Sequence, residues 1–279
     1  MSLLSEPLIQ RMLIVGLLVG MAAPVMGTYL VQRRMALLGD GIGHVALAGV
    51  AAGWLAGSLF DLAQQDALAI PGAVIFAIIG AVVIERMRSR GTAADIVMAI
   101  LFYGGIAGGV LLIGFAGGSN ANLLGYLFGS ISTVTWGDVW MSAGLAALIL
   151  LVGLGLRAAL FTVTHDQEFA RSTGLPVDAL NMVVAVLAAV TITVAMRVVG
   201  VLLVSALMIV PVAIAQLLTR SFARTMHLAM GLGAVLTITG IWITVFHDIQ
   251  PGSLIVVLGV VVYVLVAAAT SLTKMVRSR

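Results

Sequence analysis

The chain reads as an all-α, polytopic membrane protein of about nine transmembrane helices, with eight as the alternative count. Three observations predict this. Hydrophobic residues make up 62% of the 279 positions and charged residues only 9%. Soluble domains carry roughly a quarter charged residues, so this chain is too poor in charge to cover a water-facing surface. The apolar residues also gather into runs that approach the ~20 residues needed to cross a bilayer as a helix. Glycine occurs 32 times, as expected where helices in lipid approach one another through small residues.

The runs follow one another along the chain at roughly 8–32, 42–60, 67–84, 95–115, 137–156, 179–196, 198–219, 226–246 and 252–271. The first is too long for a signal-peptide core and lacks a basic leading region, so it reads as a retained helix. The second and third are short, and the sixth and seventh are nearly fused, which is why the count could drop by one. The longest polar connection, about 157–178, is too short for a soluble domain. One transmembrane domain therefore spans 1–279. There is no cysteine, hence no disulfide framework and no thiolate metal site.

Lys and Arg set the orientation. Arg33 and Arg34 follow the first run, Arg86, Arg88 and Arg90 the third, Arg157 and Arg171 the fifth, and Arg220 and Arg224 the seventh. Lys274, Arg277 and Arg279 end the chain. Twelve of the fourteen basic residues thus fall on one side when the spans alternate, leaving only Arg11 and Arg197 elsewhere. That side is cytoplasmic, which puts the C-terminus inside and the N-terminus outside. The basic pI reflects topology, not nucleic-acid binding. The external loops are Asp61–Asp66, Gly117–Asn122, the turn at Arg197 and His247–Gly252, all short.

Asp40 and His44 stand at the edge of the second run. Residues at i and i+4 share a helix face, and a carboxylate with an imidazole offers oxygen and nitrogen ligands to a divalent transition metal. Ionisable side chains within membrane spans mark substrate paths by default. The bland alternatives are an Asp40 that caps the helix and a His44 bonded to a backbone carbonyl. The segment His165–Gly174 carries a second signal. Asp166 can cap a short helix with Glu168 and Phe169 in its first turn, and Gly174 followed by Pro176 stops it.

These residues and three further blocks resemble the metal-type ABC importer permeases, which carry zinc, manganese or iron. The run Arg33-Arg34-Met35-Ala36-Leu37-Leu38-Gly39-Asp40-Gly41-Ile42-Gly43-His44 resembles their Arg-Arg-x-Ala-Leu-x-Gly-Asp-Ala-x-x-His signature. Leu124–Ile131, Val198–Pro211, and Asp248 with Pro251-Gly252 resemble later blocks, in the family's order and over nearly the whole chain. Glu168-Phe169-Ala170-x-x-x-Gly174 is similar to the Glu-Ala-Ala-x-x-x-Gly loop that docks on the ATPase. Two positions depart from the pattern: Ala48 stands where proline is usual, and Gly41 where alanine is usual.

The resemblance implies a type II importer permease fold. It implies a homodimer in the bacterial cell (inner) membrane with the path between two copies, separate ABC ATPase subunits, and an extracellular or periplasmic metal-binding protein. No cofactor is held permanently; the divalent metal is cargo. Asp40 and His44 match the family's ion pair, and two copies would supply four ligands. Glu168, Phe169, Ala170 and Gly174, within a coupling helix at about 165–175, match the ATPase contact. The chain has no phosphate-cradling Gly-x-x-x-x-Gly-Lys-Ser/Thr loop, so ATP hydrolysis must come from elsewhere. Arg197 could gate the outer end, and Ser205 and Met208 could line the path. Arg197 reads equally as a snorkelling interface residue, and most intramembrane Met residues only pack. His247 with Asp248 reads as a loop turn, or as a contact for the binding protein, before a metal pair. Glu85, Asp95 and Asp138 read as anchors and caps, and Trp54, Trp136, Trp140 and Trp242 as an aromatic belt. The alternatives to a metal-ion importer are a permease for a chelate such as a siderophore, a proton-coupled secondary transporter, and a membrane-embedded enzyme.

Overall fold

A computed structural model describes residues 6–60, 67–117, 125–129, 134–247 and 249–277. The loop 61–66, most of 117–122, Leu124, Ser130, Ile131, Asp248, Arg279 and the side chains of Arg197, Val198, Lys274 and Arg277, all invoked above, lie outside the described residues. The helices are α1 (Pro7–Gln32), α2 (Leu38–Leu59), α3 (Ala69–Ser89), α4 (Ala94–Phe115), α5 (Trp136–Gly155), α6 (Arg157–His165), α7 (Gln167–Ser172), α8 (Val177–Val199), α9 (Val201–Leu218), α10 (Phe222–Phe246) and α11 (Pro251–Arg277). Among the described residues nine of these are long and apolar enough to cross a membrane.

The eight-span alternative fails at Gly200. Its φ of +84° breaks what would otherwise be one helix into α8 and α9. A side chain there would also collide with the backbone of Phe128 and Gly129, which packs across the break. The second span begins at Leu38, earlier than the hydropathy edge, so Asp40 lies inside α2. The connection after α5 holds two helices where one was expected. In α6, Leu160 and Val163 are buried three residues apart, a helical spacing hidden by the polar residues around them.

Helices α1, α2, α8 and α9 form the interior, and α3, α4, α5, α10 and α11 surround them. Outward-facing Ile75, Ile100, Leu151, Val235 and Leu265 are exposed apolar side chains suited to lipid. Close packing runs through glycine. A Cβ on Gly72 would strike the Gly49 carbonyl oxygen and one on Gly49 the Gly72 carbonyl, so α2 and α3 meet backbone to backbone. On α1, Pro24 lacks the N–H that would have bonded the Gly20 carbonyl. Only glycine at position 233 lets α10 come up against that freed oxygen. Tyr29 of α1 donates its hydroxyl proton to the Gly153 carbonyl of α5 at 2.5 Å, tying the two helices together inside the core.

Candidate functional site

Asp40 occupies the third position of α2, after Leu38 and Gly39. The N-cap residue is Leu37, and no side chain caps this helix end. The capping alternative for Asp40 is therefore not what the fold uses. Asp40 is partly exposed and opens onto two grooves. One, of about 420 Å³, lies against α9 and α11, and its other walls include Phe128, Leu202, Ser205, Ile209, Gly252 and Val256. The second, of about 320 Å³, lies against α4 and includes Leu37, Asp95, Met98, Phe102 and Tyr103. The carboxylate thus lies on the seam of two mainly apolar grooves.

His44 follows one turn later and is 7% exposed. Its ring meets Phe102 edge-on, with centroids 4.3 Å apart. Nδ1 is buried without a hydrogen-bond partner. Buried polar atoms are nearly always bonded, so an orphaned imidazole nitrogen is unusual and calls for a cause. The backbone-carbonyl alternative supplies no partner for this nitrogen. In the neutral tautomer protonated at Nε2, Nδ1 carries a free lone pair, which is the form that ligates a metal. Among the described residues no three His, Asp or Glu side chains converge as a metal site, so one chain offers at most a pair.

Glycines bring the neighbouring helices this close. A Cβ on Gly105 of α4 would lie 2.5 Å from the His44 carbonyl carbon. A Cβ on Gly43 would strike Val201 of α9. On the other side, a Cβ on Gly39 would lie 3.6 Å from Ser205 Cβ and 3.8 Å from Met208 Sδ. Ser205 is buried, donates to the Val201 carbonyl at 3.1 Å, and lines the larger groove with Asp40. Met208 is fully buried, with its sulfur against Gly39.

The later sequence blocks also converge. Gly200 packs on the Leu127–Gly129 backbone, and a Cβ on Gly252 would come 2.6 Å from the Phe128 carbonyl oxygen. Three stretches distant in sequence thus join at the end of the Asp40 groove that Phe128 and Gly252 line. Sequence reasoning named these blocks, Phe128 within one of them, but not Phe102 or Gly105, whose only signal was glycine frequency and one aromatic beside it.

The short helix α7 forms as its residues dictate. The Asp166 carboxylate accepts from the Phe169 N–H at 2.9 Å, and Gly174 takes φ +82° at the stop. Glu168 is exposed, Phe169 is 57% exposed and Ala170 is buried, so the helix rests on Ala170 and presents Phe169 outward. Of the other candidates, Asp138 closes a capping box with Thr135 at the start of α5, and Glu85 pairs with Arg88 at 3.1 Å. Asp95 is exposed in the first turn of α4. Trp54 is half-buried against Ala51 and Ile113, while Trp136, Trp140 and Trp242 face outward.

With that geometry in view, residues 5–270 match the ABC 3 transport family. The chain belongs to the ABC 3 transport family. A manganese transport system membrane protein, MntC of Halalkalibacterium halodurans, is 31% identical over 265 residues, covering 95% of this chain and 88% of that protein. ScaB of Streptococcus parasanguinis, a manganese import system permease protein, is 32% identical over 258 residues, 92% of this chain and 89% of its own. Among solved structures, PsaBC from Streptococcus pneumoniae in complex with Fab superposes with a TM-score of 0.80 at 28% identity, covering 94% of this chain and 92% of that one. An ABC 3 family chain is the multi-pass permease subunit of an ABC transporter. It is not an enzyme, and its ATPase is a separate subunit. Membership sets aside the secondary transporter and the membrane-embedded enzyme.

Proposed function

We propose that this permease imports a divalent transition metal ion, manganese foremost, as one half of a homodimer driven by separate ABC ATPases. The observation that carries the reading is the His44 Nδ1 lone pair, buried and unpartnered, one helical turn from a carboxylate that opens onto two grooves. Relatives named for manganese transport support the choice of ion. Zinc and ferrous iron accept the same nitrogen and oxygen ligands, and a separate binding protein on the external side does most of the selecting. A pair per chain becomes four ligands across a two-fold axis, enough to hold an ion and loose enough to release it.

In this reading Asp40 supplies charge, which attracts the dehydrating cation, and His44 supplies a directional nitrogen. Ser205 lines the approach from the larger groove. Met208 flanks it behind Gly39, and Arg197 stands at the external end of α8 as part of an outer gate. Helix α7 presents Phe169 and Glu168 to the ATPase on the cytoplasmic side, with Ala170 and Gly174 fixing its seat and its stop. The chain then sits in the bacterial cell (inner) membrane with its C-terminus inside and its N-terminus outside. Uptake of radiolabelled manganese, zinc and iron into a deletion strain tests this. Wild type should restore manganese uptake and Asp40→Ala should not, at equal membrane abundance; full uptake by Asp40→Ala would remove Asp40 from the path.

A further inference from the structure

The cytoplasmic ends of α1 and α8 are tied by a polar contact that the ion site does not use. Arg33, the residue that closes α1, donates from Nη2 to the Asn181 side-chain oxygen of α8. Asn181 is 3% exposed. Glu85 and Arg88 of α3 act on the same guanidinium through their charges. Burial first, then repulsion from Arg88, lowers its pKa to about 10, with Glu85 opposing, so it stays charged at neutral pH. Its Nε is buried without a partner, which makes the bond to Asn181 the described anchor of a partly desolvated cation.

Each end of this bond belongs to a stiff run of backbone. On one side α1 ends in a Schellman motif. The Arg34 N–H bonds the Val31 carbonyl at 3.0 Å and the Met35 N–H bonds the Leu30 carbonyl at 2.9 Å. The Leu38 N–H then bonds the Met35 carbonyl, and the Gly41 N–H the Leu37 carbonyl, both at 3.0 Å. Arg34 takes φ +57°, a left-handed conformation that a non-glycine residue holds only where its surroundings enforce it. The turn from Arg33 to Asp40 thus has little slack. On the other side, the Leu175 N–H bonds the Ala170 carbonyl at 3.0 Å, and Arg171 meets Asp178 at 3.2 Å. Pro176 fixes the bend between α7 and α8. Asn181 is one turn beyond Asp178.

We propose that Arg33 and Asn181 are positioning residues that carry displacement of α7 to the Asp40 turn. The route runs α7, start of α8, Asn181, Arg33, Schellman turn, Asp40. A shift of α8 by the docked ATPase drags the guanidinium, because leaving it unpaired in a partly buried site is unfavourable. The turn then moves as a unit and reorients Asp40 against His44. The inference rests on α7 being the ATPase contact.

The complete transporter, with ATPase and binding protein, is reconstituted in liposomes, and radiolabelled Mn²⁺ uptake and ATP hydrolysis are measured on the same vesicles. Asn181→Leu should lower the Mn²⁺ carried per ATP by about tenfold or more while ATP hydrolysis persists. Asn181→Asp, which keeps an acceptor for Arg33, should hold the wild-type ratio. Should Asn181→Leu fail to assemble, Arg33→Lys, a shorter single-point donor, should lower the same ratio. An unchanged ratio in the assembled variant, whether both rates persist or both fall together, overturns the proposal. Phe169→Glu separates the underlying reading: it should strip the ATPase from the permease, and an intact, coupled Phe169→Glu complex means that α7 is not the contact.

Discussion

Phe102 of α4 meets the His44 ring edge-on at 4.3 Å, and one turn further along α4 Gly105 lies against the His44 carbonyl. The imidazole is thereby held between an aromatic edge and a bare backbone, with its Nδ1 left unbonded. The position of α4 sets the orientation of a candidate ligand.

Gly105→Ala should push α4 away from α2. Its Cβ would lie 2.5 Å from the His44 carbonyl carbon, where neither partner is a flexible side chain. Overpacking of this kind costs about 1–3 kcal/mol. A lowered melting temperature of the purified permease and reduced uptake are expected. Gly104→Ala is the matched control, because nothing lies within 4 Å of its Cβ. It should be neutral, or stabilising by roughly 0.5–1 kcal/mol through helix propensity. Thermal unfolding of both variants in detergent checks the pair.

Acid should inhibit transport through His44. A protonated imidazole has no lone pair to offer a metal. Uptake at constant ATPase rate should therefore fall on acidification. His44→Gln replaces the imidazole with an amide oxygen that does not titrate. Its residual uptake should keep its value where wild type loses its own. A wild-type profile that falls no more on acidification than that of His44→Gln would deny His44 a ligand role.

Arg34 is the one described non-glycine residue with positive φ. The left-handed conformation costs an ordinary residue roughly 1–2 kcal/mol, against which glycine loses about 0.5–1 kcal/mol of unfolded-chain entropy. Arg34→Gly should therefore leave stability unchanged or raise it by up to about 1 kcal/mol. A clear drop in melting temperature would show that the guanidinium itself makes a contact worth more than the strain.

Much of this was legible in the residues. Charge scarcity and hydropathy gave the nine spans, because a helix in lipid must be apolar along its whole length. The cap at Asp166 and the stop at Gly174 were legible because both act locally. The start of α2 was not, since glycines and a carboxylate at positions 39–41 read as a polar edge although Leu37 and Leu38 begin the helix. Helix α6 was missed because its burial depends on tertiary packing of only Leu160 and Val163. At the site, the Asp40 and His44 pair was visible by spacing. What could not be read was the unbonded Nδ1, which depends on Phe102 and Gly105 of a helix far along the chain. Arg33 was read as a topology signal and as the start of the signature run, but its bond to Asn181 spans 148 positions that no local pattern connects.

The central claim is that His44 ligates the transported ion. Pulsed EPR of Mn²⁺ bound to the purified complex tests it most directly, since a coordinated imidazole nitrogen modulates the manganese echo. The wild-type complex should show nitrogen modulation that disappears in His44→Ala, together with most of the bound Mn²⁺. Mn²⁺ held at wild-type affinity in His44→Ala, or a wild-type spectrum with oxygen ligands only, would contradict the account.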